Sequence, residues 1–405
     1  MIKIKDFYHI LLTMRIILFI VLTTFIISYY FWKEGIYIKT RRIISKIHLW
    51  LSMLAGVFIV LIGLTGSLLV FEPELNSMLH PDLYKVTEGE KVTYQEAMQV
   101  VSEAYPNGQI DRVYTPSEPN ARGVYLFRLK EGEEQQNIFV DPGTGYINGT
   151  LGDKAFFNLI AEFHEKLLLK DFNGEQIIGT IGFIFFFITL SGLYLWWPGI
   201  KKWTSGFILR RNAANPYVRQ YDLHKVIGGV SIPFLLVVSL TGALFAYDEM
   251  IFGWFGAKAK VMPPEEQLIS TPLPGGKLPF DELISNAEKA VPQGTLMQVR
   301  IPREVEKGTP EGAVEFRLSR SFDPGNGNVK VWLDQYSGKV VGKLDPHVNS
   351  GLTYQTWHFP LHTGSFGGLF TKILYAIGGL TPSILMFTGV YMWWYKKKKK
   401  NKKAK

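Results

Sequence analysis

The sequence predicts a membrane α-helical bundle of four core transmembrane helices, preceded by a fifth apolar run at the N-terminus. Two extracytoplasmic α+β domains join it, in an internal two-fold repeat. Three observations predict this. Apolar runs long enough to cross a bilayer alternate with polar stretches of domain size. Basic clusters abut those runs on one side only. The text around the first and third runs matches, as does the text around the second and fourth.

Residues 1–40 hold an N-terminal hydrophobic segment, with the apolar run at 16–32. It is an extra span, an interfacial helix, or the product of an upstream start site; an extra helix is the favoured reading. No small-residue cleavage site follows it, so it does not read as a cleaved signal peptide. The first span lies within 41–75, the first outer domain within 76–160 and the second span within 161–200. A loop at 201–223 leads to the third span at 224–250. The second outer domain covers 251–350, the fourth span 351–395 and a lysine-rich tail 396–405. The apolar cores of the spans are 49–71, 177–197, 226–247 and 369–395. Pro382 should kink the last without ending it. Trp196, Trp197, Trp393 and Trp394 fit interfacial anchors.

The net charge of +9 does not point to nucleic acid, because the positive charge is localised. Arg41, Arg42 and Lys46 precede the first span; Lys201, Lys202, Arg210, Arg211 and Arg219 fill the central loop; lysines follow Tyr395. These three places therefore lie in the cytoplasm and both polar domains lie outside. The lipid bilayer is the expected partner. The chain has no cysteine, which excludes disulfides, thiolate metal sites, Fe–S clusters and c-type haem attachment.

The repeat is explicit. His48 is followed seventeen residues later by Thr65-Gly66, and His224 seventeen residues later by Thr241-Gly242. LTGSLLVFE matches LTGALFAYD, with Glu72 and Asp248 at the same offset; SGLYLWW matches TGVYMWW. Each outer region has a helical stretch, 94–104 or 280–290, then alternating segments that read as strands. A tight turn closes each, with Asp141 and Gly145 matching Asp334 and Gly338.

Of eight histidines, His9, His80 and His347 look incidental. The other five are systematic. His48 and His224 sit at the cytoplasmic starts of the first and third spans. His164, and the pair His358 and His362, sit before the second and fourth. A single helix-mouth histidine is most simply an interfacial residue. Equivalent positions of two repeats, however, supply one imidazole each, as a bis-imidazole site between helices requires. Haem b suits such a site; zinc or copper normally needs more ligands. Two haems follow, one held by His48 and His224, the other by His164 with His358 or His362. Spacing leaves that last choice open. Gly56, Gly63, Gly66, Gly228, Gly229, Gly242, Gly378 and Gly379 serve close helix packing or clearance for a flat macrocycle. Arg219 and Lys225, beside His224, could pair with propionates, or serve only topology. Lys85, Arg112, Arg122 and Arg128 could attract an acidic ligand, although a solvated surface explains them as well.

The segments IHLWLSMLAG, EFHEKLLL, DLHKVIGG and WHFPLHTGSFGGL, with the spans that follow them, carry a family resemblance. The chain resembles the PepSY-associated transmembrane family, the iron-regulated membrane proteins that include bacterial inner-membrane ferric-siderophore reductases. The resemblance covers about residues 40–395 and leaves out the N-terminal run. It implies PepSY-like outer domains in the periplasm and haem b held by helix-end histidines. It also implies electron transfer from an unidentified cytoplasmic donor to a ferric siderophore or other ferric chelate. No flavin or nicotinamide fingerprint is present, so any nicotinamide oxidation falls to a partner. Two other readings stand beside the reductase: a non-enzymatic protein whose outer domains bind peptide or protease, and a siderophore or iron transporter. The placement of Glu72 and Asp248 at outer helix ends weighs against the transporter.

Overall fold

The computed structural model describes residues 36–403 apart from 133, 211–214, 304–310, 322, 326 and 349–351. The apolar run at 16–32, His9 and Arg211 lie outside the described residues. The first long helix, α1 (Ile36–Leu69), is followed by α2 (Glu72–Leu79), a 3-10 turn at Pro81–Tyr84 and α3 (Tyr94–Ala104). Strands β1 (Gln109–Tyr114), β2 (Tyr125–Glu131), β3 (Glu134–Val140) and β4 (Ile147–Gly152) come next. Then come α4 (Phe156–Lys166), α5 (Gly174–Trp196) and α6 (Pro216–Trp254). The second half follows with β5 (Ile269–Ser270), α7 (Phe280–Ala290), β6 (Thr295–Arg300), β7 (Glu311–Gly312), β8 (Val314–Ser319), β9 (Val329–Leu333), β10 (Val340–Leu344), α8 (Thr353–Thr363) and α9 (Gly368–Lys403).

Four helices, α1, α5, α6 and α9, are long and apolar enough to cross a membrane. They outrun their apolar cores. α1 starts well before His48, and α9 carries the lysine run on helical backbone to Lys403. In the bundle α1 packs on α5, α5 on α6, α6 on α9 and α9 on α1, which leaves α1 and α6 diagonally opposite. Small residues allow the backbones to approach. A Cβ on Gly63 would lie 2.6 Å from the Gly379 carbonyl, and one on Gly182 2.9 Å from the Ala243 nitrogen. Most of the span glycines are filled by neighbours: Gly56 by Met386, Gly229 by Trp196 and Gly378 by Phe234. They serve close helix packing. Trp196 correspondingly packs inward over Gly206 and Gly229 instead of acting only as an interfacial anchor.

The polar regions form one antiparallel sheet of eight strands, in the order β10-β9-β8-β6-β1-β2-β3-β4. The two halves meet at β1 and β6, with Arg112 opposite Arg300, Val113 opposite Val299 and Tyr114 opposite Gln298. One face carries Val113, Phe127, Leu129, Ile138, Val299, Phe316, Leu318 and Val331, and packs under α3 and α7 as a single core. The two helices also cap one another. The Asp281 carboxylate accepts from the Tyr94 and Gln95 amides at 3.0 and 2.9 Å, and Gln95 Oε1 accepts from the Phe280 amide at 3.0 Å. Such caps satisfy N–H groups that a helix start leaves without partners. The closing turns are tied by their aspartates. Asp141 accepts from Thr87 and from the Gly143 amide; Asp334 accepts from the Thr271, Tyr336 and Ser337 amides. Gly145 and Gly338 adopt φ of +72° and +65°, which a side chain would strain.

Candidate functional site

Each of four histidines is seated on a Ser-Gly or Thr-Gly pair of a neighbouring helix. His48 Nδ1 lies 2.9 Å from Ser191 Oγ and 3.2 Å from the Ile188 carbonyl. His224 Nδ1 lies 2.8 Å from Thr388 Oγ1 and 3.1 Å from the Leu385 carbonyl. His164 Nδ1 lies 3.1 Å from Thr65 Oγ1, and His362 Nδ1 lies 3.0 Å from Thr241 Oγ1. The glycine after each hydroxyl residue faces the same ring. A Cβ there would meet Cε1 at 3.4 Å (Gly192 and His48), 3.6 Å (Gly389 and His224), 2.9 Å (Gly66 and His164) and 3.1 Å (Gly242 and His362). The pattern is the two-fold repeat applied twice, once at each end of the bundle.

The seats decide where the proton sits. Each hydroxyl donates to a carbonyl one turn back in its own helix, at 2.7 to 2.9 Å at its closest. Its oxygen is therefore left to accept, and the ring must donate through Nδ1–H. The Ile188 and Leu385 carbonyls, which can only accept, require the same tautomer. Nε2 then carries the lone pair. Among the described residues, Nε2 of these four rings makes no hydrogen bond, whereas both nitrogens of His358 do.

The rings meet in pairs. His48 and His224 approach across the bundle diagonal with ring centroids 6.4 Å apart and planes at 85°. His164 and His362 approach with centroids 6.2 Å apart and planes at 53°. With metal–imidazole bonds of about 2.0 Å, two imidazoles on opposite sides of one metal ion have centroids on the order of 6 Å apart. Two imidazole ligands at this spacing would suit a haem iron, whose remaining ligands come from the macrocycle. On both spacing and donor chemistry the four residues fit the group that the sequence implies.

His358 is placed differently. It is buried, its Nε2 donates to the Thr241 carbonyl at 2.8 Å, and its Nδ1 lies 3.0 Å from the Tyr354 hydroxyl. Its ring stacks on Phe245 at 4.1 Å. The Tyr354 hydroxyl in turn lies 3.3 Å from Asp248. Asp248 is itself buried inside α6, which runs on to Trp254, and so it does not stand at an exposed helix end. Of the two candidates four residues apart, the structure brings His362, not His358, to His164. Among the remaining sequence candidates, Lys225 donates to the Ser205 carbonyl at 2.9 Å, a structural use. His80 stands between α2 and the 3-10 turn, and His347 Nε2 meets Asp323 at 2.7 Å. In the sequence Thr65-Gly66 and Thr241-Gly242 read as repeat markers with packing or clearance glycines, and none of the four hydroxyl–glycine pairs reads as a seat for a ring. The signal was a hydroxyl residue before glycine, recurring in all four spans.

No curated protein matches the chain. The family model for the PepSY-associated TM region matches residues 45–396, which takes in all four spans, the sheet and every histidine just described. The chain is a multi-pass membrane protein that belongs to the PepSY-associated transmembrane family.

Proposed function

We propose that this protein is a transmembrane electron carrier of the bacterial inner membrane that holds two haem b groups and reduces ferric siderophores or other ferric chelates in the periplasm. His48 with His224 would hold one haem at the basic, cytoplasmic end, and His164 with His362 the other at the sheet end. One observation carries this reading. Both pairs commit Nδ1–H to a hydroxyl on the next helix, leave Nε2 without a hydrogen bond among the described residues, and hold their two rings 6.2 to 6.4 Å apart. When bound, haem iron cycles between ferric and ferrous states and so supplies one-electron chemistry that these side chains lack.

The protein's own contribution is positional. The hydroxyls lock tautomer and ring orientation, as outer-shell partners of histidine ligands do. The glycines let each ring lie close to the neighbouring backbone. The two sites share α1, which bears His48 and, seventeen residues on, the Thr65 seat of His164. Seventeen residues of helix rise about 25 Å, most of the roughly 30 Å hydrocarbon layer. A flat macrocycle at each end would shorten that gap. At the sheet end, reduction of hard Fe(III) in an oxygen-rich chelate weakens its hold on the metal. Protein purified from haem-replete cells should be red, with a Soret band of low-spin haem b at two haems per chain. A colourless, folded preparation would overturn the reading.

A further inference from the structure

The face of the sheet opposite α3 and α7 concentrates unneutralised positive charge at the seam of the two halves. Arg128, Arg112 and Arg300 are direct cross-strand neighbours on β2, β1 and β6. Two residues further along, on the same face, Arg317 on β8 faces Lys330 on β9. Directly opposed side chains in such ladders sit about 5 Å apart, and like charges there are destabilising. Among the described residues two carboxylates belong to the cluster, and both are taken. Asp111 holds Arg128 and, at 3.2 Å, Lys130; Glu315 holds Arg317 at 2.5 Å. Among the described residues Arg112 donates to the Tyr114 hydroxyl alone, at 3.5 Å. Arg300 and Lys330 have no ion pair among the described residues, and Arg300 Nε and Gln298 Nε2 are buried without a hydrogen-bond partner. Burial, then the repulsion of Arg317, pulls Lys330 down to about 8; burial, then Arg317 and Arg112, pulls Arg300 down to about 10. Like charges placed directly across strands in this way repel one another.

The same face is packed by the segments that connect the sheet to the long helices. Leu83 and Tyr84, in the linker after α2, pack on Leu126 and Phe139 at one end of it. Leu352, immediately before α8, packs on Trp332 and Leu344 at the other. The hairpin glycine Gly325 abuts Pro360 in α8, whose ring a Cβ at that position would meet at 2.8 Å. The cations occupy the polar middle, between two apolar ends. Guanidinium forks match carboxylate oxygens in pairs, and charges spread over five strands call for a ligand carrying several.

We propose that Arg112, Arg300, Arg317 and Lys330, with Arg128 beside them, form a binding site for a soluble, multiply anionic ligand of the polycarboxylate class. Its use in delivering a ferric chelate rests on the reductase reading; the binding itself does not. The site is tested with the full-length protein in detergent, titrated calorimetrically with citrate, with acetate as the single-charge control. Citrate should bind, weaken steeply with added salt and raise the melting temperature, and acetate should do neither. Arg300→Gln should weaken citrate about 10- to 100-fold, the worth of a charge-assisted hydrogen bond. Without ligand the same variant should melt at or above wild type, since repulsion is relieved. Failure of citrate to bind wild type, unchanged citrate affinity in Arg300→Gln, or a lower unliganded melting temperature for that variant would each overturn the proposal. Haem content is read separately by absorbance. A colourless protein that binds citrate sinks the reductase reading and keeps this site; a red protein indifferent to citrate sinks this site alone.

Discussion

Replacing Thr65 by valine keeps shape and volume but deletes the one hydroxyl on which His164 Nδ1 is seated, 3.1 Å away. The loss to α1 itself is small, because the hydroxyl's own bonds run back to the Leu61 and Ile62 carbonyls, which already serve the helix ladder. The loss to His164 is larger. A ring donor left without its partner costs about 1–3 kcal/mol. At 1.4 kcal/mol per factor of ten, that is roughly 5- to 150-fold in affinity for whatever Nε2 holds. It brackets the about 10- to 100-fold effect typical of lost outer-shell partners of ligating histidines. Haem loss to excess apomyoglobin, followed spectrally, should therefore show one fast and one unchanged population in Thr65→Val. Ser191→Ala should accelerate the other population, because Ser191 seats His48. If both populations respond equally to Thr65→Val, or neither responds while the protein stays folded, the seats do not orient ligands and the two-site scheme fails.

Alanine at His362 should abolish the sheet-end haem and leave one haem per chain by pyridine haemochrome assay. Alanine at His358 should retain both haems while lowering thermal stability by about 1–3 kcal/mol, since the Thr241 carbonyl and Tyr354 hydroxyl lose their partner. The reverse outcome would reassign the ligand. Gly63→Val should destabilise the bundle by about 1–3 kcal/mol or more, seen as a lower melting temperature in detergent, because its Cβ would meet the Gly379 carbonyl at 2.6 Å. A fully stable variant would show that α1 and α9 can separate at no cost. Asp111, Asp141, Asp334 and Asp345 are partly withdrawn from solvent, which raises them, but hydrogen bonds and, for Asp111 and Asp345, ion pairs outweigh this and hold all four below the ordinary carboxylate range. A depressed folded-state value stabilises above the unfolded value and is lost as pH falls. The sheet should thus weaken progressively below about pH 4, measured by circular dichroism of its strand signal during acid titration. Constant stability down to pH 2 would contradict those bonds.

The spans were legible because twenty-odd apolar residues are needed to cross a bilayer whatever they pack against. Their ends were less so: α1 and α9 continue as helices through charged segments that hydropathy scores as non-membrane. The histidine positions were visible as repeat partners, yet His358 and His362 share a helical face, and spacing cannot rank residues four apart on one face. The seats of the rings were present in the text as Thr-Gly and Ser-Gly. Sequence periodicity could read them only as packing glycines, because the ring that fills each seat comes from another helix, on average more than a hundred residues away.

The sequence by itself determined a two-fold repeated membrane protein of its family, with four spans, no thiol chemistry and one histidine per repeat toward each end. Those features follow from local composition and from comparison of the chain with itself. The tertiary structure decided which imidazoles face one another, which nitrogen each leaves free, and that the two polar regions close into one sheet through β1 and β6. It also set five cations side by side across that seam. Each of these depends on side chains brought together from distant parts of the chain, and hydrogen-bond direction and like-charge proximity have no meaning until the helices and strands are packed.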